Sequence, residues 1–141
     1  MKMVKNDENY IFISETGGTV TSLKLEGVQI IYPQKIVGEK LRGGIPICFP
    51  FFGPPKSRYS SIPQHGWLRN EKLDCIKSNS SVVFEGISRG RKDYPWHLYY
   101  RTKFFFDDKG AFQAIFYVER PRDGVFGRAP INPGFHPYFS N

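Results

Sequence analysis

His136 sits in NPGFHPYF, residues 132–139, with Pro133 and Pro137 restricting the backbone on either side, so its imidazole is held rather than mobile. Phe135, Tyr138 and Phe139 can partly desolvate it. That setting suits a histidine tuned near neutrality, where general acid-base catalysis needs a proton donor. A packed histidine without chemistry would show the same spacing.

A second histidine, His65, lies in IPQHGWLRN beside Gly66, an indole at Trp67 and a guanidinium at Arg69. An extended backbone would put His65, Trp67 and Arg69 on one face, because side chains alternate with period two. An aromatic plate, an imidazole and a cation on one face make a surface for a sugar phosphate: CH groups stack on the ring, hydroxyls bond the imidazole, and phosphate takes the guanidinium bidentately. The alternative is a core Trp67 with a hydrogen-bonded structural His65. A third stretch, LRGGIPICFPFFGP, places Arg42 before Gly43-Gly44, which allow close backbone approach to a ligand, and follows them with an apolar Pro and Phe wall. A buried turn with Arg42 paired to a carboxylate fits the same residues. His97, in YPWHLYY, adjoins a strand entry without a nearby cation and reads as structural.

The histidines are too far apart for HxH or HxxxH pairing, and GxGxxG, GxxxxGK[ST] and GxSxG are all absent. No metal or cofactor is expected. Twenty Lys and Arg against 13 Asp and Glu give a net charge of +7, which favours an anionic partner. The densest basic run, Arg89-Gly90-Arg91-Lys92, reads as a solvated loop, and the cations are too scattered for a nucleic-acid surface. Cys48 and Cys75 form no framework, which fits a reduced, cytoplasmic compartment, and no apolar run is long enough for a membrane span.

The elements that position these groups read as strands and turns. Phe, Tyr, Gly and Pro are abundant, and no long segment has helical periodicity. Strands are expected at 10–14, 19–25, 28–32, 81–87, 98–106 and 111–119, with Asp107-Asp108-Lys109-Gly110 as a hairpin connection. The segment 41–70 has too many prolines for a central strand and is expected to be a structured loop crossing a sheet face. The class is all-β and antiparallel.

RGGIPICFPFFGP, PQHGWLRN and FHPYF, in this order and with strands between them, resemble the aldose 1-epimerase (galactose mutarotase-like) superfamily, most closely its hexose-6-phosphate 1-epimerase branch. The resemblance implies a β-supersandwich with an open sugar site on its concave face, of which residues 1–141 would form a single partial domain, the N-terminal half. It implies interconversion of α and β anomers by acid-base ring opening. By similarity His136 matches the catalytic acid, His65 a substrate-contacting histidine, and Arg42 and Arg69 positions that handle a sugar phosphate. The family's base is a glutamate beyond the histidine motif, and no residue of this sequence is assigned that role; Glu85 and Glu119 match no family motif and read as solvated or cross-strand-paired carboxylates. The expected partner is a sugar or sugar-phosphate substrate, not nucleic acid or membrane, together with a further segment, chain or copy supplying the remaining strands. A non-catalytic carbohydrate-binding β-domain remains the alternative.

Overall fold

The structure is a computed structural model and describes residues 1–121 and 127–140. Alternation of apolar and polar residues folds the chain into antiparallel sheets. Strands β1 (Lys2–Asn6), β2 (Asn9–Ile13), β3 (Val20–Leu25) and β4 (Val28–Gln29) form one sheet in sequence order. An exposed hairpin of β5 (Lys35–Val37) and β6 (Lys40–Arg42) follows, then the short β7 (Ile47–Cys48). Strands β8 (Asp74–Lys77), β9 (Ser81–Ser88), β10 (Leu98–Phe106) and β11 (Phe112–Glu119) form a second four-stranded sheet in the order β11-β10-β9-β8. Finally β12 (Gly134–Phe135) returns to pair antiparallel with β7.

The sheets face each other through the side chains that period two selects. In β10 the residues Leu98, Tyr100, Thr102, Phe104 and Phe106 are buried while Arg101 and Lys103 are exposed. Their partners in β9, Phe84 opposite Thr102 and Val82 opposite Phe104, share the inner face. From the first sheet come Val4, Ile11, Ile13, Val20 and Leu23, all buried in the same cluster. On the outer face the register sets Glu85 opposite Arg101, where the carboxylate accepts hydrogen bonds from Arg101 and from the Tyr99 hydroxyl, the latter at 2.6 Å. Glu119 accepts from Tyr117 at 3.0 Å. Both carboxylates therefore serve the sheet surface.

The expected strands are present with small changes of boundary. The strand expected at 28–32 contracts to Val28–Gln29, with Ile31 bridging to Phe139. The hairpin after β10 forms because Asp107 Oδ1 accepts the Lys109 and Ala111 amides at 3.0 and 2.9 Å, and these bonds, Ala111 first, hold its carboxyl below the usual range. Strands β1, β5, β6 and β8 were not marked by the pattern: each is short, and Lys-rich KMVKN or mixed DCIK carries little alternation. Among the described residues β11 pairs only with β10, and its inward side chains Phe112, Ala114, Phe116 and Val118 are only half-buried.

The segment from Gly43 to Leu73 closes one end of the sandwich and lends it Ile47, Phe49, Trp67 and Leu68 as core. Its folding hinges on Gly66, which bridges to Phe49 with φ +72° and lies so close that a Cβ would drive into the Phe49 carbonyl. Gly38 has a similar φ of +62° but open space around it. Gly66→Ala is therefore expected to lower the unfolding free energy by more than ~3 kcal/mol, and Gly38→Ala by ~1 kcal/mol. Denaturant titration checks both; equal losses would contradict the close-approach explanation.

Candidate active site

Two chain segments carry the histidines to one place. Gly53 and His65 are joined twice: the His65 amide donates to the Gly53 carbonyl at 3.0 Å, and the Gly53 amide donates to His65 Nδ1 at 3.0 Å. A backbone N–H only donates, so Nδ1 must be unprotonated and the neutral ring carries its proton on Nε2. His65 also holds a left-handed φ of +67°, uncommon outside glycine, and the two bonds to Gly53 keep it there. His136 follows β12, and its amide donates to the Pro46 carbonyl at 3.0 Å.

The two imidazoles meet edge-to-face with centroids 5.2 Å apart. Phe52 and Tyr138 lie nearly parallel to the His136 ring, at 5.3 and 4.8 Å. Phe52 also meets His65 edge-on at 5.4 Å. Of the three aromatics expected to desolvate His136, only Tyr138 does so: Phe135 packs against the core and Phe139 is exposed. The His65 imidazole titrates below the ordinary histidine value of 6.5, first because burial disfavours its charged form, then because His136 and Arg69 add like charge.

Beside this pair opens a cleft of about 400 Å³ lined by His65, Tyr138, Lys40, Arg42, Arg69 and neutral polar groups including Thr19, Gln34, Gln64 and Asn70. Three cations border it, and among the described residues that line it there is no Asp or Glu. Arg69 donates to the Gln64 carbonyl at 3.2 Å, which braces its guanidinium. Arg42 is exposed on β6 and forms no ion pair with a described residue, so the buried-turn alternative does not apply to it. No group of three or more His, Cys, Asp or Glu suited to a metal ion occurs among the described residues. Cys48 and Cys75 are free thiols, and no described helix is long and apolar enough to cross a membrane.

Two sequence expectations need correction. Trp67 is not a stacking plate for substrate: its indole is buried, edge-to-face with Phe49 and Tyr94 at 6.1 and 5.3 Å, and lines a different cavity. The period-two argument fails because His65 and Gly66 both have left-handed φ and residues 68–70 form a 3-10 turn, so the stretch is bent, not extended. Gly43 and Gly44 make their close approaches to the protein itself: a Cβ at Gly43 would lie 2.6 Å from the Pro33 carbonyl, and one at Gly44 would strike that of Val20. Arg91 lies in an exposed loop as expected, and there it pairs with Glu71 at 2.6 Å and covers the Trp67 ring at 4.5 Å. His97 is exposed and lies outside the cleft. Sequence reasoning missed Lys40, Phe52 and Gln34; the alternation of β6 around Leu41 is the one signal that could have set Lys40 beside Arg42.

The shift of His65 has a signed consequence. Because the folded state disfavours its protonation, the unfolded state binds more protons just below 6.5, and the His65 contribution to stability is lost as pH falls through that window. NMR titration is expected to place the His65 midpoint below 6.5, and His136→Ala to raise it only part of the way back, since burial persists. A midpoint at or above 6.5 would contradict the burial and like-charge explanation.

Against known proteins, the sequence profile of the aldose 1-epimerase family matches residues 3–141. A protein of Salmonella typhimurium strain LT2 named "Putative glucose-6-phosphate 1-epimerase" is 52% identical over 33 residues, 23% of this chain and 10% of that protein. The structure of a galactose mutarotase-like protein from Lactobacillus casei ATCC 334 superposes with a TM-score of 0.81 at 22% identity, covering 99% of this chain and 49% of that one. A galactose mutarotase related enzyme from Lactobacillus acidophilus gives 0.63 at 20% identity, over 76% of this chain and 39% of its own. The chain thus spans about half the length of the Lactobacillus casei protein and shares its antiparallel β-supersandwich architecture over that half. With the profile running through all three motif segments, the chain belongs to the aldose 1-epimerase family.

Proposed function

We propose that the cleft beside His65 and His136 binds a hexose 6-phosphate and, once the remaining strands are supplied, interconverts its α and β anomers. The observation that carries this reading is the contact of the two imidazoles at the edge of a cleft bordered by three cations. His136, held by Pro46 and flanked by Phe52 and Tyr138, gives a proton to the ring oxygen as the C1–O5 bond breaks. A base takes the anomeric hydroxyl proton, the free aldehyde carbon rotates, and both protons return on reclosure. His65, neutral with its proton on Nε2, donates a hydrogen bond to a sugar oxygen without competing for the proton of His136. Lys40, Arg42 and Arg69 take the phosphate. The base comes from a segment, chain or second copy that completes the sheets at β11, whose outer edge has no strand partner among the described residues and whose inward side chains are only half-buried. The resemblance to the hexose-phosphate branch and the name of the Salmonella protein support the phosphorylated substrate.

A second reading is a non-catalytic carbohydrate-binding β-domain. The cleft lining, without a described carboxylate, favours it for residues 1–141 alone.

Saturation-transfer NMR of glucose 6-phosphate separates the two. The protein with its sheets completed is expected to accelerate anomer exchange, and His136→Ala to reduce the acceleration by about 10²–10⁴-fold. Binding with no acceleration would support the second reading instead. Arg69→Ala is expected to weaken glucose 6-phosphate by roughly tenfold and free glucose hardly at all; equal losses would remove its role toward phosphate.

A further inference from the structure

A second cavity, of about 360 Å³, shares no lining residue with the cleft. Trp67 and Ser88 line it, each only 4% exposed, and Trp67 Nε1 and Ser88 Oγ have no hydrogen-bond partner among the described residues. Native interiors rarely leave such groups unpaired, because each costs the desolvation of a polar atom with nothing in return. An indole N–H only donates, and a hydroxyl can donate. Tyr100, also lining the cavity, has its hydroxyl pushed up to about 12 by burial and then by the Glu71 carboxylate, so it too stays a neutral donor. Arg89 and Arg91 supply two guanidiniums, and Arg89 forms no ion pair with a described residue. Glu71 is the one carboxylate in the lining, and it is committed to Arg91 at 2.6 Å. The loop is fixed in advance: Arg91 and Tyr94 exchange backbone hydrogen bonds of 2.8 and 3.0 Å, and Gly90 lies against Pro95.

Donors outnumber acceptors and positive charge exceeds negative, which suits an anion with several acceptor oxygens. We infer that the cavity formed by Trp67, Ser88, Tyr100, Arg89 and Arg91 is a second binding site for a phosphate-type oxyanion, separate from the His65–His136 cleft. The group it takes is either free phosphate or the phosphoryl end of a phosphorylated metabolite. Occupancy would pair the indole N–H and the Ser88 hydroxyl, with Arg89 neutralising charge at the mouth.

The sequence holds two tryptophans, so the indole N–H signals of ¹⁵N-labelled protein report the site directly, and Trp96→Phe assigns them. Inorganic phosphate and glucose 6-phosphate are titrated separately into the protein with its sheets completed, against potassium chloride at matched ionic strength. The expected result is a saturable shift of the Trp67 signal, with Trp96 unmoved; whichever titrant saturates at lower concentration identifies the source of the oxyanion. Ser88→Ala and Arg89→Gln, neither of which disturbs a described hydrogen bond, should each weaken binding roughly tenfold. Arg42→Ala, in the other cleft, should leave the inorganic phosphate titration unchanged. Absence of saturation with both titrants, an equal response to chloride, or a response that survives both cavity variants would overturn the proposal.

Discussion

The crossing of two loops at Phe49 and Gly66 holds the rest together. The Phe49 carbonyl accepts the Trp67 amide at 3.0 Å, and the Cα of Gly66 lies where no other residue's side chain has room. That contact locks the Phe49 and Trp67 rings into the core between the sheets. Four residues after Phe49 and one before Gly66, Gly53 and His65 bind each other twice. The same crossing therefore seals the end of the sandwich and aims the imidazole outward. Packing on one side and positioning on the other are a single constraint.

His136 reaches the crossing by a separate route, the two-residue pairing of β12 with β7 and the bond from its amide to Pro46. Residues far apart in the chain thus meet over rigid backbone, as a proton-transfer site requires. The electrostatics are one-sided. Three cations border the cleft, no described carboxylate lines it, and burial together with like charge discourages protonation of His65. Under the proposed function such a site takes an anionic sugar and supplies the acid, His136, while the base comes from a further segment. The Lactobacillus casei protein is about twice as long, and the edge of β11 is where the architecture of this half stops being paired.

Strands rich in aromatic residues were legible in the sequence: Leu98–Phe106 holds two Tyr and three Phe, and Asp107 with Gly110 marks its turn. The motif residues His65, Arg42 and Arg69 were legible as types, and the structure sets all three around one cleft with His136 adjoining. Their arrangement was not legible. Two successive left-handed residues at 65 and 66 break the period on which the placement of Trp67 depended, and a propensity for φ > 0 at a histidine leaves no pattern in sequence. The exposed loop at Arg91 was legible, but its contacts with Glu71 and the ring of Trp67 were not, because they arise only through tertiary packing. Short strands such as β5 and β6 exist because a hairpin closes on itself, and they bury too little to leave an alternating signature.

A crystal structure of the protein with glucose 6-phosphate tests the central claim most directly. The account predicts the sugar in the cleft, its phosphate among Lys40, Arg42 and Arg69, and its ring oxygen within hydrogen-bond reach of His136. A sugar bound elsewhere, or one in the cleft with its ring oxygen turned away from His136, would contradict it.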